Sequence, residues 1–442
     1  MIELTFGSTL LILIVTAYFF WKNWNYKVLM HPGFYFLLVW IIAVPSQWYL
    51  MQLGYSSLPH PSYVDELNFY VAFTAVSFLL WNFRGAKFQN LKPELQIIKS
   101  LSFFKIAVII VFSSYLLEFM FSGASLNVGI NRTGGHLGRS SILSILRSAR
   151  FILEFMAGFY IGKKFLKQKT PIKYFYLLMP LMGAILLSIQ GGGRNPMLIA
   201  LKAYSLGFGF SLPVYLNYQI KTKIIVLSVS AIVISGIVFS LWDLQRKSVR
   251  GFTVREYDSR LVESFSGPME YMGAHYYGYQ LRRAEWDGQL NYGTNTFYGF
   301  LDIRVPFSNA IGLGRSSLGS ALGVEDYRLE VYYSGLPGSY TTWTNYIQMI
   351  RDFGENGALL FIFLFTLYTH KLFLYRLKYG FKSGISIIPY YLCFYYWANS
   401  NFYSFYGFNI VNSTIIPFFL FDLLQRLYMS YFVTRQTNPV VS

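Results

Sequence analysis

The chain has little cysteine and little charge. Cys393 is its single cysteine, so no disulfide can form within the chain and no cysteine cluster can hold a metal. Charged residues make up 13% of the 442 residues, whereas soluble domains carry about 25%. Hydrophobic residues make up 54% and aromatic residues 20%. This balance excludes an ordinary soluble domain and indicates a protein that lies in lipid.

The sequence also lacks the motifs of several functional classes. Its five histidines are scattered, and neither an HExxH motif nor a Walker loop is present. We therefore predict no metal site and no cofactor. The net charge of +17 comes from basic residues spread over short loops without a nucleic-acid-binding motif, so no nucleic-acid partner is predicted. The first apolar run lacks the features of a cleaved secretory signal, and we expect it to be a retained span.

Long apolar runs recur along the whole chain. Runs of about 20 residues can cross about 30 Å of hydrocarbon as helices. Barrel strands would instead alternate apolar and polar residues, which these runs do not. We therefore predict an all-α polytopic integral membrane protein embedded in the lipid bilayer. Its eleven predicted spans lie near residues 5–21, 33–50, 67–83, 106–121, 141–162, 174–190, 196–216, 224–242, 354–374, 384–402 and 408–428.

Lysine marks one side of this predicted topology. Sixteen of the 18 lysines lie in or beside the odd-numbered loops between spans. Cytoplasmic loops are enriched in basic residues, so the odd loops are predicted to be cytoplasmic. The N-terminus is then on the outer side and the C-terminus is on the inner side.

Arginine is concentrated on the other side. Fifteen of the 19 arginines lie in the even-numbered loops or at the helix ends beside them. This placement opposes the usual bias towards the cytoplasm and needs another cause. The guanidinium group stays charged and grips phosphate oxygens with two parallel hydrogen bonds. A phosphate ligand on the outer side is the best chemical cause.

One outer loop is much longer than the others. Residues 243–353 contain ten arginines, one lysine and twelve acidic residues. A structureless loop of this length would be unusual, so we expect short helices in it, with helical periodicity over 259–284. The predicted organisation is spans 1–8 in residues 1–242, the large outer loop in 243–353, and spans 9–11 with a cytoplasmic tail in 354–442.

Two segments at predicted outer helix ends carry candidate phosphate ligands. Three glycines precede Arg194 in the turn at 191–194, and Pro196 suits the first turn of the following helix. An arginine beside a helix N-terminus can form an anion site, although a tight turn with an arginine reaching the lipid surface also fits. Arg147 and Arg150 share a face of the fifth span. Ionisable groups in a span usually face a partner or a substrate path.

Partners within the membrane offer a second interpretation of the fifth span. Glu154 lies one turn beyond Arg150, so these two residues can form a pair that locks helices together. Arg147 has no evident partner on its own helix, and Glu118 in the fourth span is the candidate partner for it.

The large loop supplies further candidates. Arg246 and Arg250 lie four residues apart, just beyond the eighth span. Two interpretations are equally compatible with this position: contact with a ligand and contact with lipid headgroups. Three residues are candidate groups for orienting or deprotonating a sugar hydroxyl, although a solvated side chain is the ordinary alternative: Glu270, His275 and Asp302. Three arginines are candidate glycan contacts: Arg282, Arg283 and Arg304.

These features together resemble the Wzy-type polymerases of O-antigen and capsule repeat units. The likeness covers the eleven spans, the large late outer loop and the outer arginines. Its local motifs are the glycine–arginine turn at 191–194, the threonine-containing stretch at 340–344 and the DFG-containing stretch at 351–357.

The resemblance implies a GT-C-like polymerase/ligase architecture in the bacterial inner membrane, with the active site facing the periplasm. The N-terminus would be periplasmic and the C-terminus cytoplasmic. Donor and acceptor would both be oligosaccharides linked to undecaprenyl pyrophosphate, and a chain-length regulator protein would be a partner. Five arginines would bind the pyrophosphate: Arg147, Arg150, Arg194, Arg246 and Arg250. The alternatives are an O-antigen ligase and a flippase for lipid-linked oligosaccharides, although the large loop and the absence of an internal repeat speak against the flippase.

Overall fold

The computed structural model is all-helical wherever it describes the chain. The described ranges contain no β-sheet, which confirms the all-α class for this part of the chain. The structure describes residues 4–52, 62–82, 100–121, 149–166, 175–190, 195–212, 222, 226, 272–273, 275–301, 344–400 and 414–433.

The helices follow the predicted apolar runs. In chain order they are α1 (Phe6–Trp24), α2 (Pro32–Gln52), α3 (Ser62–Asn82), α4 (Leu101–Phe121), α5 (Arg150–Leu166), α6 (Met179–Gln190), α7 (Asn195–Ser211), α8 (275–284), α9 (Thr294–Leu301), α10 (Asn345–Tyr379), α11 (Ile388–Ala398) and α12 (Ile416–Tyr428). The helical periodicity predicted for 259–284 is confirmed for residues 275–284.

Four of the described helices, α1, α3, α4 and α10, are long and apolar enough to cross a membrane. Helix α6 and most of α2 are shorter apolar helices. This composition supports a membrane protein. The total of eleven spans and their orientation stay predictions, and the eighth predicted span lies almost entirely outside the described residues.

Helix α10 begins nine residues before the predicted span at 354–374, at Asn345. Gly354 has non-helical backbone angles, φ 71° and ψ 173°, and kinks the helix at this point. A left-handed φ of this kind is adopted readily by glycine, which has no Cβ to clash with the backbone. The apolar run starts only after the kink, which is why hydropathy alone missed the preceding helical segment.

The chain forms two compact units. Unit 1 consists of Met1–Leu91, Ser266–Lys378 and Pro389–Asn412, and unit 2 consists of Lys92–Phe265, Tyr379–Ile388 and Ser413–Ser442. Helices α1–α3, α8, α9, most of α10 and nearly all of α11 therefore belong to unit 1. Helices α4–α7 and α12 belong to unit 2.

Aromatic residues form the core of unit 1. The Trp40 ring lies 5.9 Å from the Tyr276 ring and 5.8 Å from the Tyr346 ring, measured between ring centroids. Two hydrogen bonds cross this core: Trp40 Nε1 donates to Ser400 Oγ at 2.8 Å, and Thr74 Oγ1 lies 2.8 Å from Tyr346 Oη. Large rings fill the space between helices, and their hydrogen bonds fix which helix faces which.

Glycine sets the distance between α5 and α7 in unit 2. A Cβ atom added at Gly158 would collide with the carbonyl oxygen of Tyr204, and one added at Gly207 would collide with that of Phe155. A Cβ atom added at Gly162, one turn beyond Gly158, would collide with the side-chain hydroxyl of Ser211. Small residues spaced by four let helix backbones approach closely in membranes, where tight packing replaces the hydrophobic effect.

We expect Gly158→Ala and Gly207→Ala each to lower the thermal unfolding midpoint of the detergent-solubilised protein. The added methyl group meets main-chain atoms that cannot turn away, and overpacking of this kind costs about 1–3 kcal/mol. The control is Gly7→Ala, because a Cβ at Gly7 would meet open space. Equal midpoints for all three variants would contradict this account of the helix pair.

Candidate functional site

The candidate site is a polar cluster in unit 1 that joins the first turns of α3, helix α8 and the region around the kink of α10. Arg283 lies at its centre. Its Nε donates to both oxygens of Glu66, at 2.9 Å and 3.3 Å, and its Nη2 forms an ion pair with Glu355. Tyr279 Oη donates to Glu66 Oε1 at 2.8 Å. We call Glu66, Tyr279, Arg283 and Glu355 the outer network, because the predicted topology places it at the outer side.

The electrostatics of the outer network keep Arg283 charged. Burial disfavours the charge, but the hydrogen bond and the negative charge of Glu66 outweigh burial and raise the pKa of Arg283. Burial and the charge of Glu66 also raise the pKa of Tyr279 well above its usual value, so its hydroxyl stays a donor. Glu66 is itself buried, and Arg283 and Tyr279 donate hydrogen bonds to its carboxylate oxygens.

Aromatic rings enclose the same arginine. The Arg283 guanidinium lies 4.9 Å from the centroid of the Trp286 ring and 5.4 Å from that of Tyr63. A cation near the face of an aromatic ring is attracted to the negative charge of that face. Arg283 therefore fastens α8 to α3 and α10 through ion pairs and ring contacts together.

Arg282 also has partners within the protein. Its Nη1 donates to Glu285 Oε2 at 2.8 Å, and its carbonyl oxygen accepts a hydrogen bond from Arg351 Nη2 at 3.2 Å. The sequence predicted that Arg282 and Arg283 contact the glycan. The structure places both in ion pairs with acidic side chains, and a glycan contact stays a prediction.

The DFG-containing stretch anchors the start of α9. The Asp352 carboxylate accepts hydrogen bonds from the backbone nitrogens of Asn295 and Thr296, at 3.0 Å and 2.6 Å, and from Asn295 Nδ2 at 3.0 Å. An acidic side chain at a helix N-terminus satisfies backbone donors and complements the helix dipole. This structural role of Asp352 was not predicted from the sequence, nor were the ion pairs of Glu66 and Glu355 with Arg283.

His275 is fully buried, which differs from the solvated side chain expected as the ordinary alternative. Burial lowers the pKa of His275 to about 3, so the imidazole is neutral at pH 7. General bases work best with a pKa near the working pH, and His275 is far from that condition here. Its role as a base stays a prediction. Next to it, Tyr276 Oη donates to Asn68 Oδ1 at 3.0 Å.

Unit 2 contains a second set of buried ionisable residues. Arg150 and Glu154 are both buried, and each feels the charge of the other along one face of α5. The Arg150 guanidinium also lies 4.5 Å from the centroid of the Phe151 ring. Neither oxygen of the Glu154 carboxylate has a hydrogen-bond partner among the described residues, so the interpretation that this pair locks helices stays a prediction, as does the phosphate contact of Arg150. Glu118, the candidate partner of Arg147, accepts a 3.5 Å hydrogen bond from Gln190 Nε2.

Most predicted pyrophosphate ligands and bases fall outside the described residues, as does the turn at 191–194, and their roles stay predictions. These residues are Arg147, Arg194, Arg246, Arg250, Glu270, Asp302 and Arg304. Within the described ranges, no three metal-binding side chains are grouped closely enough to hold a metal ion. Comparisons with models of protein families, with curated proteins and with solved structures found no match for this chain.

We expect Glu66→Gln to lower the free energy of unfolding by about 3–5 kcal/mol, because it leaves the Arg283 charge without its buried partner. The matched control is Glu285→Gln, which breaks the ion pair of Arg282 with a half-exposed carboxylate. Exposed pairs contribute about 0.2–1 kcal/mol, so the control should be nearly neutral. Denaturant unfolding of both variants measures the difference, and equal losses would contradict the structural importance of the outer network.

The buried imidazole also predicts a dependence of stability on pH. The pKa of His275 is about 3 in the folded protein and near 6.5 when it is solvated, so the unfolded chain takes up the proton first. The neutral His275 therefore makes its full contribution to the free energy of unfolding above pH 6.5, and this contribution is lost as the pH falls towards 3. The thermal midpoint of the wild type should fall more steeply between pH 6.5 and 4 than that of His275→Gln. Parallel curves would contradict this prediction.

Proposed function

We propose that this chain is a glycosyltransferase that polymerises oligosaccharide repeat units carried on undecaprenyl pyrophosphate into surface polysaccharide. The growing glycan on its lipid pyrophosphate is the donor, and a new lipid-linked unit is the acceptor. The non-reducing sugar hydroxyl of the acceptor attacks the anomeric carbon of the donor and loses its proton to a base. The bond to undecaprenyl pyrophosphate breaks, and this group leaves with the electron pair.

The observation that carries the proposal is the separation of arginine from lysine along the sequence. Fifteen of 19 arginines lie on the predicted outer side, against the usual cytoplasmic bias of basic residues. Negative charge grows on the leaving pyrophosphate in the transition state, and fixed cationic donors stabilise it there. Arginine is suited to this task because its fork matches phosphate oxygens and it remains charged at lipid headgroups.

The described residues support the proposal in one way, because apolar helices of membrane length suit an enzyme whose substrates have lipid tails. The sidedness of arginine in the sequence assigns the pyrophosphate role first to Arg147 and Arg194, with Arg150, Arg246 and Arg250 behind them.

Related chemistry could use the same donor. A ligase would move the finished glycan to another acceptor, and a flippase would carry lipid-linked units across the membrane without forming a bond. Deletion of the gene separates these functions. A polymerase predicts loss of the chain-length ladder while one repeat unit is still attached to the surface lipid. Loss of every attached unit would indicate a ligase, and accumulation of lipid-linked units on the cytoplasmic side would indicate a flippase.

Arg194→Ala and Arg147→Ala should each reduce polymer formation by about 100-fold to 1,000-fold at unchanged protein level, because loss of one well-placed donor costs about 3 kcal/mol in the transition state. Arg194→Lys should also impair polymerisation, since an ammonium group lacks the fork. Electrophoresis of surface polysaccharide measures the effect. The control is Arg426→Ala, an exposed arginine of α12 near the predicted cytoplasmic end. Full-length polymer from both alanine variants would overturn the assignment.

A further inference from the structure

The segment between α8 and α9 presents one tyrosine in an unusual conformation. Tyr292 is 84% exposed. Among the residues that the structure describes, it is the one residue other than glycine whose φ is positive, at 46°. A bulky side chain is rare there, because its Cβ crowds the neighbouring carbonyl oxygen. The nearby positions with φ of 90°, 288 and 293, are both glycine. Glycine or asparagine would fit position 292 with less strain, so packing does not explain the tyrosine.

Hydrogen bonds hold the backbone around Tyr292 in place. The Tyr292 nitrogen donates to the Asp352 carbonyl oxygen at 3.0 Å, and the Asn291 nitrogen donates to that of Arg351 at 3.0 Å. Thr294 closes the turn through its nitrogen, which donates to the Asn291 carbonyl oxygen at 3.0 Å. The ring is therefore exposed on a fixed support next to the kink of α10. A group held in its binding conformation loses little entropy when a ligand arrives.

The first half of the segment is fixed in the same way. Trp286 Nε1 donates to the Gln289 carbonyl oxygen at 2.8 Å, and the Gln289 nitrogen donates to Asp287 Oδ1 at 2.9 Å. Trp286 in turn lies against the guanidinium of Arg283. The whole stretch is thereby connected to the outer network.

The side chains around Tyr292 indicate which ligand suits it. Asp287, Gln289 and Asn291 are exposed and offer a carboxylate and amides. The exposed charges of the segment, Glu285 and Asp287, are both negative. An anionic lipid surface attracts basic residues and is mismatched to this segment. A neutral sugar ring presents C–H groups to an aromatic face and hydroxyl groups to carboxylates and amides.

We propose that Tyr292 is a sugar-stacking residue that binds a neutral sugar ring of the lipid-linked repeat unit. The inference rests on the proposed function for the identity of the ligand and on the predicted topology for its side of the membrane. Its physical basis is the combination of exposure, a strained but fixed backbone and a polar, acidic surround. Strain retained at an exposed position is typical of a binding site.

The test measures binding of oligosaccharides of one to three repeat units, released by mild acid from the lipid-linked intermediates of the producing cell, to the full chain in detergent. Isothermal titration calorimetry should show affinity about tenfold weaker for Tyr292→Ala than for the wild type, with Tyr292→Phe close to the wild type. The control is Tyr379→Ala, which removes an exposed tyrosine at the C-terminal end of α10. Unchanged affinity in Tyr292→Ala would overturn the proposal.

A glycine variant separates binding from folding. Tyr292→Gly relieves the strained backbone, so its thermal midpoint should equal or exceed that of the wild type while its affinity falls as in Tyr292→Ala. A lower midpoint together with wild-type affinity would show that Tyr292 serves the fold, and it would overturn the proposal.

The membrane interface is the competing environment for an exposed tyrosine. A spin label attached to Tyr292→Cys in lipid nanodiscs tests it, because the native Cys393 is buried and should escape labelling. The label should be accessible to a water-soluble nickel chelate. Preferential contact with oxygen, which partitions into lipid, would overturn the proposal.

Polymer formed in cells by a wild type that binds no released oligosaccharide would overturn this inference alone. Binding without polymer would instead remove the proposed function.

Discussion

A charge buried inside a protein is costly without a partner of opposite sign, and the polar cluster of unit 1 around Arg283 is organised around that constraint. The buried carboxylate of Glu66 holds Arg283 and accepts from Tyr279, while Glu355 pairs with the same guanidinium. These contacts join α3, α8 and the kink of α10. The Asp352 carboxylate then fixes the start of α9. Buried charge therefore determines where the segment carrying Tyr292 lies.

The sequence predicted the helical class well, because apolar runs of membrane length force the backbone to satisfy its own hydrogen bonds. It predicted the beginning of α10 poorly. The segment before Gly354 is short and mixes apolar with polar residues, so hydropathy does not mark it, although Asn345–Asp352 is buried throughout. Arg351 and Asp352 hold it through hydrogen bonds to Arg282 and to the start of α9. The close approach of α5 and α7 was likewise missed, although the spacing of Gly158 and Gly162 carried a signal for it.

Site residues were harder to predict than helices. Arg282 and Arg283 were recognised as important cations. The partner of Arg282, Glu285, is only three residues away and could have been paired from helical spacing. The partners of Arg283, Glu66 and Glu355, are distant in sequence, so pattern analysis could not pair them. Glu66 carried one usable signal, an acidic residue near the predicted outer end of an apolar span. The burial of His275 could not be anticipated, because burial depends on packing between elements that are distant in the sequence. The assignment of Arg147 and Arg194 depends on the sidedness of arginine in the sequence.

A structure of the full chain in lipid nanodiscs with bound undecaprenyl pyrophosphate would test the central claim most directly. We expect the guanidinium groups of Arg147 and Arg194 to lie within hydrogen-bonding distance of phosphate oxygens, on the same side of the membrane as the outer network. Phosphates contacted by lysines at the opposite side, with both arginines facing bulk water, would contradict the account.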